Sequence, residues 1–192
     1  MTNPSPTRND AAGQKVAYDL GCGEYKHKGA IGIDIIEYPT VDVVADIHDL
    51  RGVVPDSIAD EVYMIHSLEH VNPLIVLKEA FRILKPGGTI SIEVPNAHDA
   101  AVLIRLLLRN TYAVSPDHVQ CFGIIELENV LRKVGFEIVE HNHKEYDSRF
   151  KVKAGPSKTH RLGRLVSKIF PQFSEAITMR AMKPDGEPEY RG

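Results

Sequence analysis

The chain has 192 residues, 43% hydrophobic and 26% charged, which suits one ordinary globular domain and excludes a wholly disordered chain. Only two cysteines, Cys22 and Cys121, are present. That excludes a disulfide-stapled scaffold and points to a reducing compartment, and a formal net charge of −3 gives no global case for nucleic acid as a partner.

Residues 1–14, MTNPSPTRNDAAGQ, read as a flexible leader without the apolar core of a signal peptide. Lys15–Leu20 then reads as a strand running into Gly21-Cys22-Gly23. Ala30–Asp34, Val41–Ala45 and Ala59–Ile65 are the next strand candidates. After His70-Val71, Asn72 caps a helix with Pro73 at its first position. Leu74, Leu77, Phe81 and Leu84 give that helix an apolar stripe, and Lys85-Pro86-Gly87-Gly88 stops it. Thr89–Val94 follows as a strand, then an apolar helix over Ala97–Arg109 and another over Ile124–Val134, ended by Gly135. Phe136–Glu140 and Glu175–Met182 are the last strands, and 185–192 reads as a flexible tail. No run approaches the ~18 uncharged apolar residues of a spanning helix, so the expected location is cytoplasmic. Strands alternating with helices predict one α/β domain over 15–184, with a mostly parallel sheet covered on both faces.

In such a sheet the residues just after each strand carry the chemistry. Two glycines around Cys22 suit a tight turn and close approach of a ligand; a plain strand-ending turn is the alternative. Cys22 itself reads as a small packing residue rather than a nucleophile. Asp34, with Ile35 beside it, ends the second strand, where a carboxylate can accept both hydroxyls of a ribose or simply face solvent. Asp46 and the N–H of Ile47 can read the edge of adenine; a helix cap is the alternative. A dinucleotide fingerprint needs a third glycine at position 26, which is Lys26, and six residues between Gly23 and Ala30 leave almost no room for a phosphate-binding helix. A ligand with ribose and adenine but no pyrophosphate fits better, and S-adenosylmethionine is one.

The ordered series VAYDLGCG, GIDI, VVADI, ADEVYMIHSLEHV, LKEAFRILKPGGTISIEVPN and FGIIELENVLRKVGFEIVE resembles that of class I S-adenosylmethionine-dependent methyltransferases, over roughly residues 15–140. It is similar to the branch with ubiquinone, menaquinone and sugar methyltransferases, in a subgroup with a short first loop. The resemblance implies a Rossmann-like, mostly parallel seven-stranded sheet with helices on both faces and the last strand antiparallel. It implies that S-adenosyl-L-methionine is the cofactor. Asp19, Gly21 and Gly23 would hold its methionine part, Asp34 the ribose, and Asp46 and Ile47 the adenine, with Cys22 and Ile35 also among the cofactor-binding residues. His66 would line the methionine side and the acceptor cavity. Tyr25 stands where the family often has a third glycine.

His66-Ser67-Leu68-Glu69-His70 is also a literal H-x-x-E-H, the pattern of some zinc peptidases. That reading needs one helix to carry both histidines, whereas here a strand precedes and Asn72-Pro73 starts a new helix, so no metal is assigned. A divalent ion at Glu69, His70 and His118 beside the acceptor stays open; so does a plain structural role for Glu69. Methyl transfer to oxygen benefits from a base, and His66, His70 and His118 are the catalytic candidates. Asn96 is a further residue able to face the acceptor. Between Lys144 and Lys168 eight Lys/Arg face only Glu145 and Asp147, inside a basic loop and short amphipathic helix expected over 141–170. This favours a small-molecule or glycan-like acceptor carrying negative charge, and a homodimer is also envisaged. The expected activity is methyl transfer to such an acceptor at oxygen. The alternative is a cofactor-binding regulatory or partner subunit without transfer.

Overall fold

The computed structural model describes residues 15–109, 117–145 and 158–186. The expected leader 1–14, the tail from 187 and the centre of the basic segment, 146–157, lie outside the described residues. The strands are β1 (Ala17–Leu20), β2 (Ile31–Asp34), β3 (Val43–Val44), β4 (Ala59–Ile65), β5 (Leu84–Pro95), β6 (Glu137–Lys144) and β7 (Ala176–Met182). The helices are α1 (Pro73–Ile83), α2 (Ala100–Arg109), α3 (Ile124–Val134) and α4 (Lys158–Ile169). All seven strands form one sheet in the order β3-β2-β1-β4-β5-β7-β6. The pairs from β3 through β5 are parallel, and β7 enters antiparallel between β5 and β6. This is the Rossmann-like mixed sheet expected from the sequence. No described helix is long and apolar enough to cross a membrane.

Register sorts the side chains onto two faces, because paired residues point the same way. Tyr18, Val62, Ile90 and Ala181 align across β1, β4, β5 and β7, as do Met64, Ile92 and Met179. All are buried, joined in one core by Val76, Leu77, Ala80 and Ile83 of α1 and Leu127 and Leu131 of α3. The Phe81 and Phe136 rings meet edge to face at 5.0 Å. The opposite face is polar: Asp19 aligns with Gly32 and Tyr63, Tyr63 with Ser91, Ser91 with Arg180, and Glu93 with Thr178.

The connections β1–β2, β2–β3 and β3–β4 carry no α-helix. On the polar face the loop after β1 takes the place of one. Its His27 ring stacks on Tyr63 with centroids 3.7 Å apart. Lys26 lays its stem against Gly32, where any Cβ would lie 2.6 Å from it, and pairs with Asp42 at 2.6 Å. Helix α1 starts as its sequence dictates, the Asn72 side chain accepting from the Ile75 N–H. Its end differs from expectation. β5 begins at Leu84 rather than Thr89, because Leu84 already pairs with Ala59 of β4; Lys183 donates to the Phe81 and Leu84 carbonyls at 2.8 and 2.7 Å at the end of the helix. β6 runs on through Lys144, so the basic segment begins as sheet. α4 packs on α2, where Gly163 sits so close to Ala101 that a Cβ would meet it at 2.8 Å.

Candidate functional site

The chain leaves β1 towards β2 and β3, then returns to β4 on the other side of β1. The carboxyl ends of β1 and β4 therefore open a crevice between diverging connections. Gly21 and Gly23 shape its floor with φ of +71° and +49°, left-handed values that side chains resist. Gly21 is also pinned sterically, since a Cβ there would stand 2.6 Å from Ser67 Cβ. Its N–H donates to the Ile33 carbonyl at 2.8 Å, and Ser67 Oγ donates to the Leu20 carbonyl at 2.9 Å. The end of β1 is thus tied to both β2 and the residues leaving β4. Nothing lies within 4 Å of a Cβ built on Gly23, so that backbone is open to approach.

Asp34 reaches back over this turn. Its Oδ2 accepts from the Gly23 N–H and its Oδ1 from the Ile36 N–H, each at 2.9 Å. Both oxygens retain acceptor capacity for hydroxyls. Asp19 is only 1% exposed. Its Oδ2 accepts from the His27 N–H at 2.6 Å, while Oδ1 is buried with no hydrogen-bond partner. Burial raises its pKa to about 6, against the lowering effect of the His27 N–H. An orphaned carboxylate oxygen under a glycine turn is a seat for a cationic or donor-bearing ligand group. Burial, then the charges of Asp19 and Asp34, push the Cys22 thiol up to about 12. It stays protonated and does not act as a nucleophile.

Ile47 is buried, with its Cδ1 3.7 Å from the Cβ position of Gly21. Asp19, Gly21, Cys22, Gly23, Asp34 and Ile47 therefore converge. Ile35 is 66% exposed. Asp46 is exposed and turned to His48, accepting from its N–H at 2.9 Å and facing Nδ1 at 2.7 Å; these bonds hold its carboxyl below the usual range. His48 Nε2 in turn accepts from the Asn72 N–H at 3.3 Å, tying this connection to the start of α1.

Beyond β4 the chain turns at His66, φ +55°, into a single 3₁₀ turn, Leu68–His70. No helix carries His66 and His70 together, so the peptidase geometry is absent. His66 is wedged between carboxylates, Nδ1 3.5 Å from Glu69 and Nε2 3.2 Å from Glu93. Burial opposes its charge, but these carboxylates outweigh it and push its pKa up to about 9. At neutral pH His66 is a cation with no free lone pair for a hydroxyl proton. Glu93, which sequence reasoning missed, is held as a carboxylate by His66 and Lys144 against its own burial. The available signal was a charge in the middle of the apolar run TISIEV.

His118 is delivered from a distant part of the chain. The Val119 N–H donates to the Glu69 carbonyl at 2.9 Å, and Gln120 donates to the Leu68 and Val71 carbonyls. The His70 and His118 rings then meet edge to face at 4.8 Å. Asn96 points elsewhere, its amide donating to the Gln172 and Ser174 carbonyls at 2.9 and 2.8 Å, in a cleft of about 220 Å³ that also includes His98, His143 and Phe173.

Comparison with known proteins matches residues 17–141 to a family described as a methyltransferase domain. A ubiquinone biosynthesis O-methyltransferase of Pseudomonas fluorescens (strain SBW25) is 32% identical over 124 residues, 52% of each chain. The chain thus spans about half the length of the curated relatives it matches. Among solved structures, a SAM-dependent methyltransferase from Archaeoglobus fulgidus superposes with a TM-score of 0.60 at 22% identity, covering 89% of this chain and 87% of that one. The [4+2]-cyclase SpnF superposes with a TM-score of 0.57 at 18% identity, covering 92% and 77%. The shared fold therefore does not by itself dictate one reaction.

Proposed function

Because the chain belongs to the methyltransferase domain family, we propose that it transfers a methyl group from S-adenosylmethionine to a hydroxyl of a small-molecule acceptor. The observation that carries this reading is the buried, partnerless Oδ1 of Asp19 beneath a glycine turn whose outer N–H is already engaged by Asp34. The residues fit the cofactor: Asp19 meets its ammonium, the Gly21–Gly23 turn lets its methionine part approach the backbone closely, Asp34 meets its ribose hydroxyls, and Asp46 and Ile47 its adenine. When bound, the cofactor supplies a methyl carbon on positively charged sulfur, an electrophile that needs alignment more than activation.

The chain's own residues then handle the acceptor. His66 is not the resting base, because it is already protonated between Glu69 and Glu93; it orients Glu69 and holds positive charge near the acceptor. The acceptor proton is handled at the neighbouring Glu69, His70 and His118 group. Lys158, Arg161 and Lys168 favour an acceptor with negative charge, including an anionic glycan. The O-methyltransferase named above supports oxygen as the target atom.

Calorimetric titration with S-adenosylhomocysteine tests the cofactor site: saturable one-to-one heat is expected, weakened at least tenfold in Asp34→Ala. Absence of heat with the unmodified chain refutes the reading. Labelled S-adenosylmethionine with panels of phenolic and sugar acceptors tests the transfer. Tight binding with no labelled product from any acceptor would instead favour a regulatory subunit.

A further inference from the structure

Helix α4 packs with the wrong side inward for an ordinary surface helix. At about 3.6 residues per turn, Leu162, Leu165 and Ile169 fall on one stripe, and they are 49%, 58% and 68% exposed. Phe170 follows, half-exposed, its N–H still donating to the Val166 carbonyl at 2.8 Å. The other side of the helix faces the protein. Gly163 and Ser167, one turn apart, are buried. A Cβ on Gly163 would meet Ala101 of α2 at 2.8 Å, and Ser167 Oγ donates to Glu145 at 2.7 Å. A surface helix ordinarily turns its apolar stripe to the core. Here small residues make the packed side and large apolar ones face outward, and a contiguous outward stripe of this kind marks an interaction surface.

The charge on the helix identifies the occupant. Lys158–Ile169 carries four Lys/Arg and no Asp or Glu. Arg164 is engaged by Glu145 at 3.0 Å and Glu175 at 3.1 Å. Lys158, Arg161 and Lys168 are exposed. Lys158 stands one turn before Leu162, while Arg161 and Lys168 run along one flank of the stripe. The whole chain is formally −3, so the positive field of this helix is local and draws this face towards a negative surface. A second copy is a poorer occupant, because a two-fold contact sets the helix against itself, cation on cation. Nucleic acid would meet the cations and leave the leucines wet.

We propose that the outer face of α4 docks on an anionic lipid surface. An amphipathic helix with Leu and Phe on one side and Lys and Arg beside them lies in the interfacial plane, apolar side chains at the acyl boundary and cations among the headgroups. Twelve residues are too few to span a bilayer, so the contact is peripheral and reversible. Docking through α4 does not depend on the cofactor site, and its test uses neither cofactor nor acceptor.

The test is co-sedimentation of the full chain with vesicles of equal parts phosphatidylcholine and phosphatidylglycerol, and with vesicles of phosphatidylcholine alone. Saturable binding to the mixed vesicles is expected, at least tenfold weaker on phosphatidylcholine, and largely released as salt rises from about 0.1 to 1 M. Leu165→Glu and Ile169→Glu should each weaken it at least tenfold while Leu165→Met keeps it, and an unchanged Tm shows that these exposed positions leave the fold intact. Arg161→Gln combined with Lys168→Gln should weaken binding to the mixed vesicles alone, which separates the charge from the apolar contact. No binding to the mixed vesicles, equal binding to both kinds, or binding unchanged in both glutamate variants overturns the proposal. A dimer in light scattering that Leu165→Glu dissociates, without vesicle binding, overturns it in favour of a second copy.

Discussion

Two residues at the β1 turn illustrate how local strain and buried charge serve a ligand. Gly21 combines φ +71° with a Cβ position 2.6 Å from Ser67 Cβ, so it lacks both conformational and spatial room for a side chain. Gly21→Ala should cost about 1–3 kcal/mol in denaturant unfolding and abolish cofactor binding. Asp19 makes the opposite trade. Its folded pKa, about 6, lies above the ordinary 3.8. The folded state therefore binds the proton more tightly, and Asp19 costs stability that appears as pH rises from about 4 through 6. Asp19→Asn should raise the Tm at pH 8, with the gain fading below pH 6, while weakening cofactor binding. The same sign predicts that binding near pH 6 releases protons, since a bound ammonium favours the carboxylate. Calorimetry in buffers of different ionisation enthalpy measures that release.

At the scale of elements, α1 is held as much by its neighbours as by its own sequence. Glu79 is buried and accepts from the Leu50 N–H at 2.9 Å while pairing with Arg82 at 2.8 Å. Arg82 also donates to the Val54 carbonyl at 3.0 Å, which fastens the helix-free β3–β4 connection to α1. Glu79→Ala leaves Arg82 and the Leu50 N–H without that partner. It should cost about 2–4 kcal/mol, less than a fully enclosed pair because Arg82 keeps some access to water. The pair holds Glu79 below the ordinary carboxylate value despite burial. Its contribution is present above that ordinary value and is lost as pH falls through the lowered one, so wild type and Glu79→Ala should converge in acid unfolding. The loop after β1 is a comparable case. Its shortness was plain in GEYKHKG, but the stacking of His27 on Tyr63 needed β4 beside it.

For the whole molecule, the reversal of strand order at β1 and β4 gathers the turn after β1, the end of β2 and the residues after β4 at one edge. On the proposed reading, a ligand bound there would touch segments from Asp19 to His66 at once, so its binding should stabilise the domain as a unit. At a concentration about one hundred times the Kd, S-adenosylhomocysteine should add about 2.7 kcal/mol. That appears as a raised Tm, which Asp34→Ala should largely remove.

Periodicity and punctuation along the chain determined the strands, the three helices up to Gly135 and the residues that follow each strand. These depend on near neighbours: alternation, an Asn cap before proline, glycine at a stop. The cofactor candidates were legible for the same reason, since each lies at or shortly after the carboxyl end of a strand. The third dimension decided the rest. That His66 is a cation follows from Glu93 across the β4–β5 pairing and from Glu69 in the turn after β4. That His118 stands beside His70 follows from backbone bonds to Glu69, Leu68 and Val71. Protonation and ligand grouping are set by distances of a few ångströms between residues far apart in sequence. A linear pattern supplies the residue types for such a site but not the separations that give them their charge.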